Sequence, residues 1–166
     1  MLKPLIQKYQ KSGLILVGHS WGGPLVAQIA MDYGYETDQL VFVAASLFGE
    51  LEPYEWYRSV FKFSLIRWMI PRTLVASNTE LYTSVEQLDA MLPKWKNIRQ
   101  STTILQGTND RLVDPKNGTL AKKHLINTSA ELVWIENADH FLPWSHPEYI
   151  IRAIDKHLDI LNSSVK

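Results

Sequence analysis

The sequence predicts an α/β fold with a mostly parallel sheet of about four strands and flanking helices. Three observations lead there. Short apolar, β-prone runs recur at residues 14–17, 40–45, 102–106 and 131–135. Segments of helical spacing lie between them, and strands that alternate with helices build parallel βαβ units. Turn-rich, chemistry-bearing stretches then follow three of the runs: Gly18-His19-Ser20-Trp21-Gly22-Gly23, Gly107-Thr108-Asn109-Asp110 and Glu136-Asn137-Ala138-Asp139-His140. In a parallel sheet such loops share one edge, where ligands bind.

Each element has its own signal. Leu2, Leu5, Ile6 and Tyr9 follow helical spacing, and Pro4 is tolerated in a first helical turn. Leu14-Ile15-Leu16-Val17 is a strand that runs into the serine turn. Pro24 to Met31 reads as a helix with Leu25, Ile29 and Ala30 on its inner face and Gly34 as its stop. Leu40 to Ala45 is apolar throughout, as expected of a strand covered on both faces. From Gly49 to Pro93 the character changes. Tyr57, Val60, Phe61, Leu65 and Trp68 mark one helix, closed by Pro71. Ser84 with Gln87 forms a capping box for a second, bearing Val85, Leu88 and Leu92. Asp114-Pro115 starts a further helix. Ser145 with Glu148 is a capping-box start for the last, with Ile150, Ile154, Leu158 and Leu161 on one face.

Composition narrows the class. The chain has 166 residues, 46% apolar and 20% charged, with 17 basic and 17 acidic side chains and a formal net charge of zero. This is an ordinary globular composition, read as one domain over residues 1–166. Neutral charge gives no electrostatic case for nucleic-acid binding. There is no cysteine, so no disulfide framework, thiolate metal site or cysteine nucleophile is available. No apolar run approaches the ~18 residues of a membrane span, and the N-terminus lacks a signal-peptide core. The default location is therefore cytoplasmic.

A serine hydroxyl is a weak nucleophile unless the backbone presents it to a base and to an anion-stabilising pocket. Gly18 and Gly22 flank Ser20 at G-x-S-x-G spacing, where a tight turn leaves no room for side chains. A nucleophile needs a histidine and an acid. Asp110 and His140 both sit just past strand ends. Asp114 precedes Pro115 and is the better helix cap, which leaves Asp110 for chemistry. His146 precedes Pro147 at a helix entrance and reads as structural, whereas His140 follows its strand directly. His19 reads as packing behind the turn. His124 and His157 read as surface residues, and Lys62 and Arg67 as solvated. Trp56, Phe61 and Trp68 are core candidates that could also line an apolar substrate site.

The stretches LILVGHSWGGPLVAQIA, TTILQGTNDRLVDP and LVWIENADHFLPWSHPE closely resemble the α/β-hydrolase family, in its branch of serine hydrolases with a helical cap. The order Ser…Asp…His is the order of that family. The resemblance implies Ser20 as nucleophile, Asp110 as acid and His140 as base. It implies the backbone N–H of Trp21 as an oxyanion donor, a cap over about residues 50–95, and no metal or organic cofactor. The expected reaction is hydrolysis of a small or medium carboxylic ester.

One departure accompanies the match. The family places several strands before the serine turn, and a loop among them gives the second oxyanion N–H. About a dozen residues precede the strand here, so the chain resembles the C-terminal part of the fold, with the second donor absent. Strand 14–17 becomes a sheet edge that invites pairing with another chain. Both points predict weak activity and self-association for this chain. The alternative reading is a catalytically poor remnant acting as a binding or interaction module.

Overall fold

A computed structural model of the chain describes residues 3–9, 13–52 and 85–164. The expected helix bearing Tyr57 to Trp68, with Trp56, Lys62 and Arg67, lies outside the described residues, as does the cap residue Ser84.

Four strands form a parallel sheet in sequential order: β1 (Ile15–His19), β2 (Gln39–Val43), β3 (Ser101–Gly107) and β4 (Ala130–Ile135). The register runs Gly18 to Phe42, Phe42 to Ile104 and Ile104 to Leu132. All five residues of β2 are buried; the unbroken apolar run predicts this for Leu40 to Val43, while the polar Gln39 is buried with its Nε2 donating to the Ala153 carbonyl at 3.1 Å. β1 is an edge among the described residues, and Val17 is 43% exposed.

Side-chain alternation splits the core into two layers. Leu40, Phe42 and Ile104 point to one face, where they meet Val26, Ala27 and Ala30 of α2 (Gly22–Asp32). Leu47, Phe48, Trp95 and Ile98 complete that layer, together with Ala121 of α4 (Lys116–His124). A further helical stretch, α3 over residues 85–91, adds Leu88 and Met91 to the buried set. Val41, Val43 and Leu105 point to the other face, against Leu142 of α5 (Leu142–Ser145) and Ala153 of α6 (Pro147–Ser164). Each large side chain buried in this way contributes about 1.5–3 kcal/mol. The chain begins with α1 (Lys3–Tyr9), which buries Ile6 and leaves Leu5 and Tyr9 exposed.

Several expectations are corrected. The buried stripe of α2 runs through Gly23, Val26, Ala27, Ile29 and Ala30, while Leu25 is 54% exposed. Small residues let this helix lie close to the sheet, so its inner face is not its most apolar one. Gly34 does stand just past the C-cap of α2, as expected of its stop, and opens a 3-10 turn over Gly34–Glu36. Ser145 does not begin α6. It closes α5, and its hydroxyl donates to the Phe141 carbonyl at 3.0 Å. Along α6, Leu158 is 44% exposed, and among the described residues Ala153 is the buried one. His124 is half-buried and packs 5.3 Å from the Phe48 ring.

Candidate active site

Ser20 sits between the end of β1 and the start of α2. Its φ is 53°, a region that non-glycine residues occupy only when surrounding contacts enforce it. Those contacts are present. The Ser20 N–H donates to Val43 O at 3.0 Å, and its carbonyl accepts from the N–H of Gly23 at 3.0 Å and of Ser46 at 3.3 Å. A Cβ at Gly18 would fall 2.6 Å from Gly22 O and 2.9 Å from Val26 Cγ2. The expected crowding at Gly22 is not found, for nothing lies within 4 Å of a Cβ there. Gly23 is the crowded partner instead, 2.5 Å from Ala45 Cβ, because that residue lays α2 against the loop after β2.

Asp110 follows β3 and is buried. Its Oδ1 accepts from the N–H groups of Leu112 and Val113, both at 2.9 Å. Those bonds fold the turn locally and aim the other oxygen away from it. Oδ2 meets Nδ1 of His140 at 2.9 Å and Nε2 of Gln106 at 3.4 Å. A carboxylate only accepts, so Nδ1 of His140 carries the proton and Nε2 is the bare nitrogen of the neutral ring. Asp114 takes the capping role expected of it, accepting the Lys116 N–H at 2.9 Å.

His140 arrives from the far side of the sheet. β4 and β1 are separated by three strand spacings of about 4.8 Å, or about 14 Å. The loop after β4 turns back over the end of β3. Thr108 N–H donates to Ile135 O at 3.1 Å, Asn109 N–H to Ala138 O at 3.0 Å, and Asn137 N–H to Thr108 Oγ1 at 2.9 Å. Asn137 takes a φ of 57°, a conformation that asparagine tolerates better than most residues. The loop then reaches β1, where Nε2 of His19 meets the His140 carbonyl oxygen at 2.9 Å. The two imidazole rings are 4.8 Å apart.

The other sequence candidates fall elsewhere. His146 is half-buried beside the Tyr149 ring, and its Nδ1 pairs with Ser145 Oγ at 2.9 Å. Trp56, Phe61 and Trp68 lie outside the described residues. Trp21 stands at the head of α2, where backbone N–H groups have no intrahelical acceptor. Its half-exposed side chain lines an open cleft of about 470 Å³ with Leu25, Leu88 and Met91.

Sequence reasoning missed two groups. Phe141 and Trp144, 50% and 72% exposed, stand beside the histidines: Phe141 is 5.7 Å from the His140 ring and Trp144 is 5.6 Å from the His19 ring. Leu112 and Phe141 share an open cleft of about 450 Å³ with His140 and Arg111. The signal for Phe141 and Trp144 was the apolar run directly after His140. Asn117 is the second. It is buried, and its Oδ1 accepts the N–H groups of Leu47 and Phe48 at 2.8 and 3.1 Å, which ties α4 to the loop flanking the serine turn. Among the described residues no group of three or more histidine or acidic side chains is placed to hold a metal. No described helix is long and apolar enough to cross a membrane.

A helix-flanked parallel sheet with a sharp strand-to-helix turn carrying Ser20 defines the α/β-hydrolase class of folds. The chain belongs to the alpha/beta hydrolase family, whose model matches residues 2–153. It is similar in structure to one of two metagenome-derived lipolytic enzymes, with TM-score 0.70, 18% identity, and coverage of 94% of this chain and 70% of that one. A monoacylglycerol lipase of Paleococcus ferrophilus gives TM-score 0.68 at 13% identity, over 95% and 72%. A predicted CIB-like hydrolase of Thermoplasma acidophilum gives TM-score 0.59 at 17% identity, over 93% of this chain and 56% of that one. The chain thus spans between about half and three quarters of the length of these structures, and at such identities the likeness shows the fold. No curated protein matches the chain.

Proposed function

We propose that this chain carries the nucleophile, base and acid of a serine hydrolase acting on a small or medium carboxylic ester. Ser20 attacks the ester carbonyl and His140 Nε2 takes the hydroxyl proton. Asp110 fixes the tautomer and stabilises the imidazolium that forms. The Trp21 N–H stabilises the developing oxyanion. His140 then gives its proton to the departing alcohol. Water hydrolyses the acyl-enzyme by the same route in reverse order. The two open clefts have apolar walls suited to an ester's apolar parts. Trp56, Phe61 and Trp68, in a cap over about residues 50–95, would contribute apolar side chains to the substrate site. Lipolytic activity in two structural neighbours supports an ester as substrate.

One observation carries the reading: the buried Asp110–His140 hydrogen bond of 2.9 Å, formed between loops of different strands. A remnant under no demand for chemistry has no reason to keep a buried carboxylate aimed at a histidine. The test is covalent labelling. A fluorophosphonate probe should modify Ser20, and Ser20→Ala should abolish both labelling and p-nitrophenyl ester turnover. Unchanged turnover in that variant would overturn the assignment.

A further inference from the structure

We infer that His19 is a positioning residue: its ring N–H holds the His140 backbone and thereby sets where the base stands relative to Ser20. The inference rests on the serine-hydrolase reading above. His140 has two anchors of different kinds. Asp110 holds its ring through Nδ1, at 2.9 Å. His19 holds its main chain through the carbonyl oxygen, also at 2.9 Å. A carbonyl accepts and cannot donate, so Nε2 of His19 carries the proton.

The placement gives that second bond its meaning. A ring fixed only by Asp110 would follow every motion of the loops after β3 and β4, neither of which contains the nucleophile. His19 is the chain neighbour of Ser20 and ends β1, the strand that delivers the serine. It therefore joins nucleophile and base across 121 residues of sequence by one hydrogen bond and a ring contact of 4.8 Å. Trp144 packs edge-on against His19 at 5.6 Å and helps hold the ring. A reacting pair must be held to within about 0.5 Å, and a misplacement of about 1 Å can cost about 100-fold in rate. His19 touches neither Ser20's leaving proton nor the substrate in this role, so its effect falls on rate and not on binding.

Two substitutions separate the hydrogen bond from the packing. His19→Gln places an amide N–H where Nε2 stood and removes the ring. His19→Phe keeps a ring and removes the donor. Saturating fluorophosphonate labelling of the 166-residue chain gives the maximal rate and the half-saturating probe concentration. We expect His19→Phe to lower the maximal rate by roughly 10- to 100-fold with half-saturation within about twofold. His19→Gln should recover most of the loss. Equal rates for His19→Phe and the native chain would overturn the inference, as would His19→Gln slower than His19→Phe or a change confined to half-saturation. Near-UV circular dichroism checks that both variants are folded. His140→Ala is the control that separates the two readings. If it labels at the native rate, the base assignment has failed. If it is inert while His19→Phe is fully active, only the role of His19 has failed.

Discussion

Gly107 lies against the backbone of Ala138: a Cβ there would fall 2.8 Å from the Asp139 oxygen and closer still to that of Ala138. The last residue of β3 thus has no side chain because the loop bearing His140 passes directly over it. Gly107→Ala should push that loop outward. We expect a loss of about 1–3 kcal/mol in urea unfolding, as for other forced overpacking, together with slower Ser20 labelling. A native midpoint and native labelling rate would show that the loop yields freely.

Asp110 separates local folding from chemistry within one side chain. Asp110→Asn keeps an Oδ1 acceptor for Leu112 and Val113, but it turns an amide N–H₂ toward His140 Nδ1. That favours the tautomer with the proton on Nε2, which cannot act as base. Turnover should fall roughly 10⁴-fold while the melting temperature moves little. A variant that unfolds would place the residue's importance in the turn, and full turnover would dismiss it as the acid.

The two nearby histidines should behave differently. His140→Ala should reduce kcat at least about 10³-fold. His146→Ala, which loses a pairing with Ser145 and a contact with Tyr149, should act on stability alone. Steady-state kinetics on both variants decides it, and the reverse pattern would name His146 as the base.

Asn117→Ala should rank among the costlier polar substitutions in the chain. It strands the N–H groups of Leu47 and Phe48, both buried. Each unsatisfied buried group costs about 1–3 kcal/mol, so the sum is roughly 2–6 kcal/mol. Equilibrium urea unfolding measures it directly. A loss below about 1 kcal/mol would mean that the loop finds other acceptors.

The β1 edge should make the 166-residue chain self-associate, because Val17 is 43% exposed on a strand with one neighbour among the described residues. Size-exclusion chromatography with light scattering should show species larger than a monomer. Val17→Lys should shift them toward monomer, since a charged edge resists pairing. A monodisperse native monomer would rule this out.

The sequence by itself determined the sheet and the order along it of the loops that bear Ser20, Asp110 and His140. Four apolar runs matched four strands, most clearly at β2, where Leu40 to Val43 are apolar and buried on both faces. The G-x-S-x-G turn and the two loops bearing Asp110 and His140 were legible because tight turns demand particular residues locally. Tertiary structure alone decided everything that depends on distant partners. The inner face of α2 was set by how closely Gly23 and Ala27 approach the sheet, not by which residues are most apolar. Ser145 looked like the start of α6, yet it ends α5, since the short helix before it carries no periodicity to read. Asn117, the approach of Gly107 to Ala138, and the bond from His19 to His140 join segments 31 to 121 residues apart. Such pairings arise only when the folded sheet brings its loops to one edge, and no local pattern in the chain encodes them.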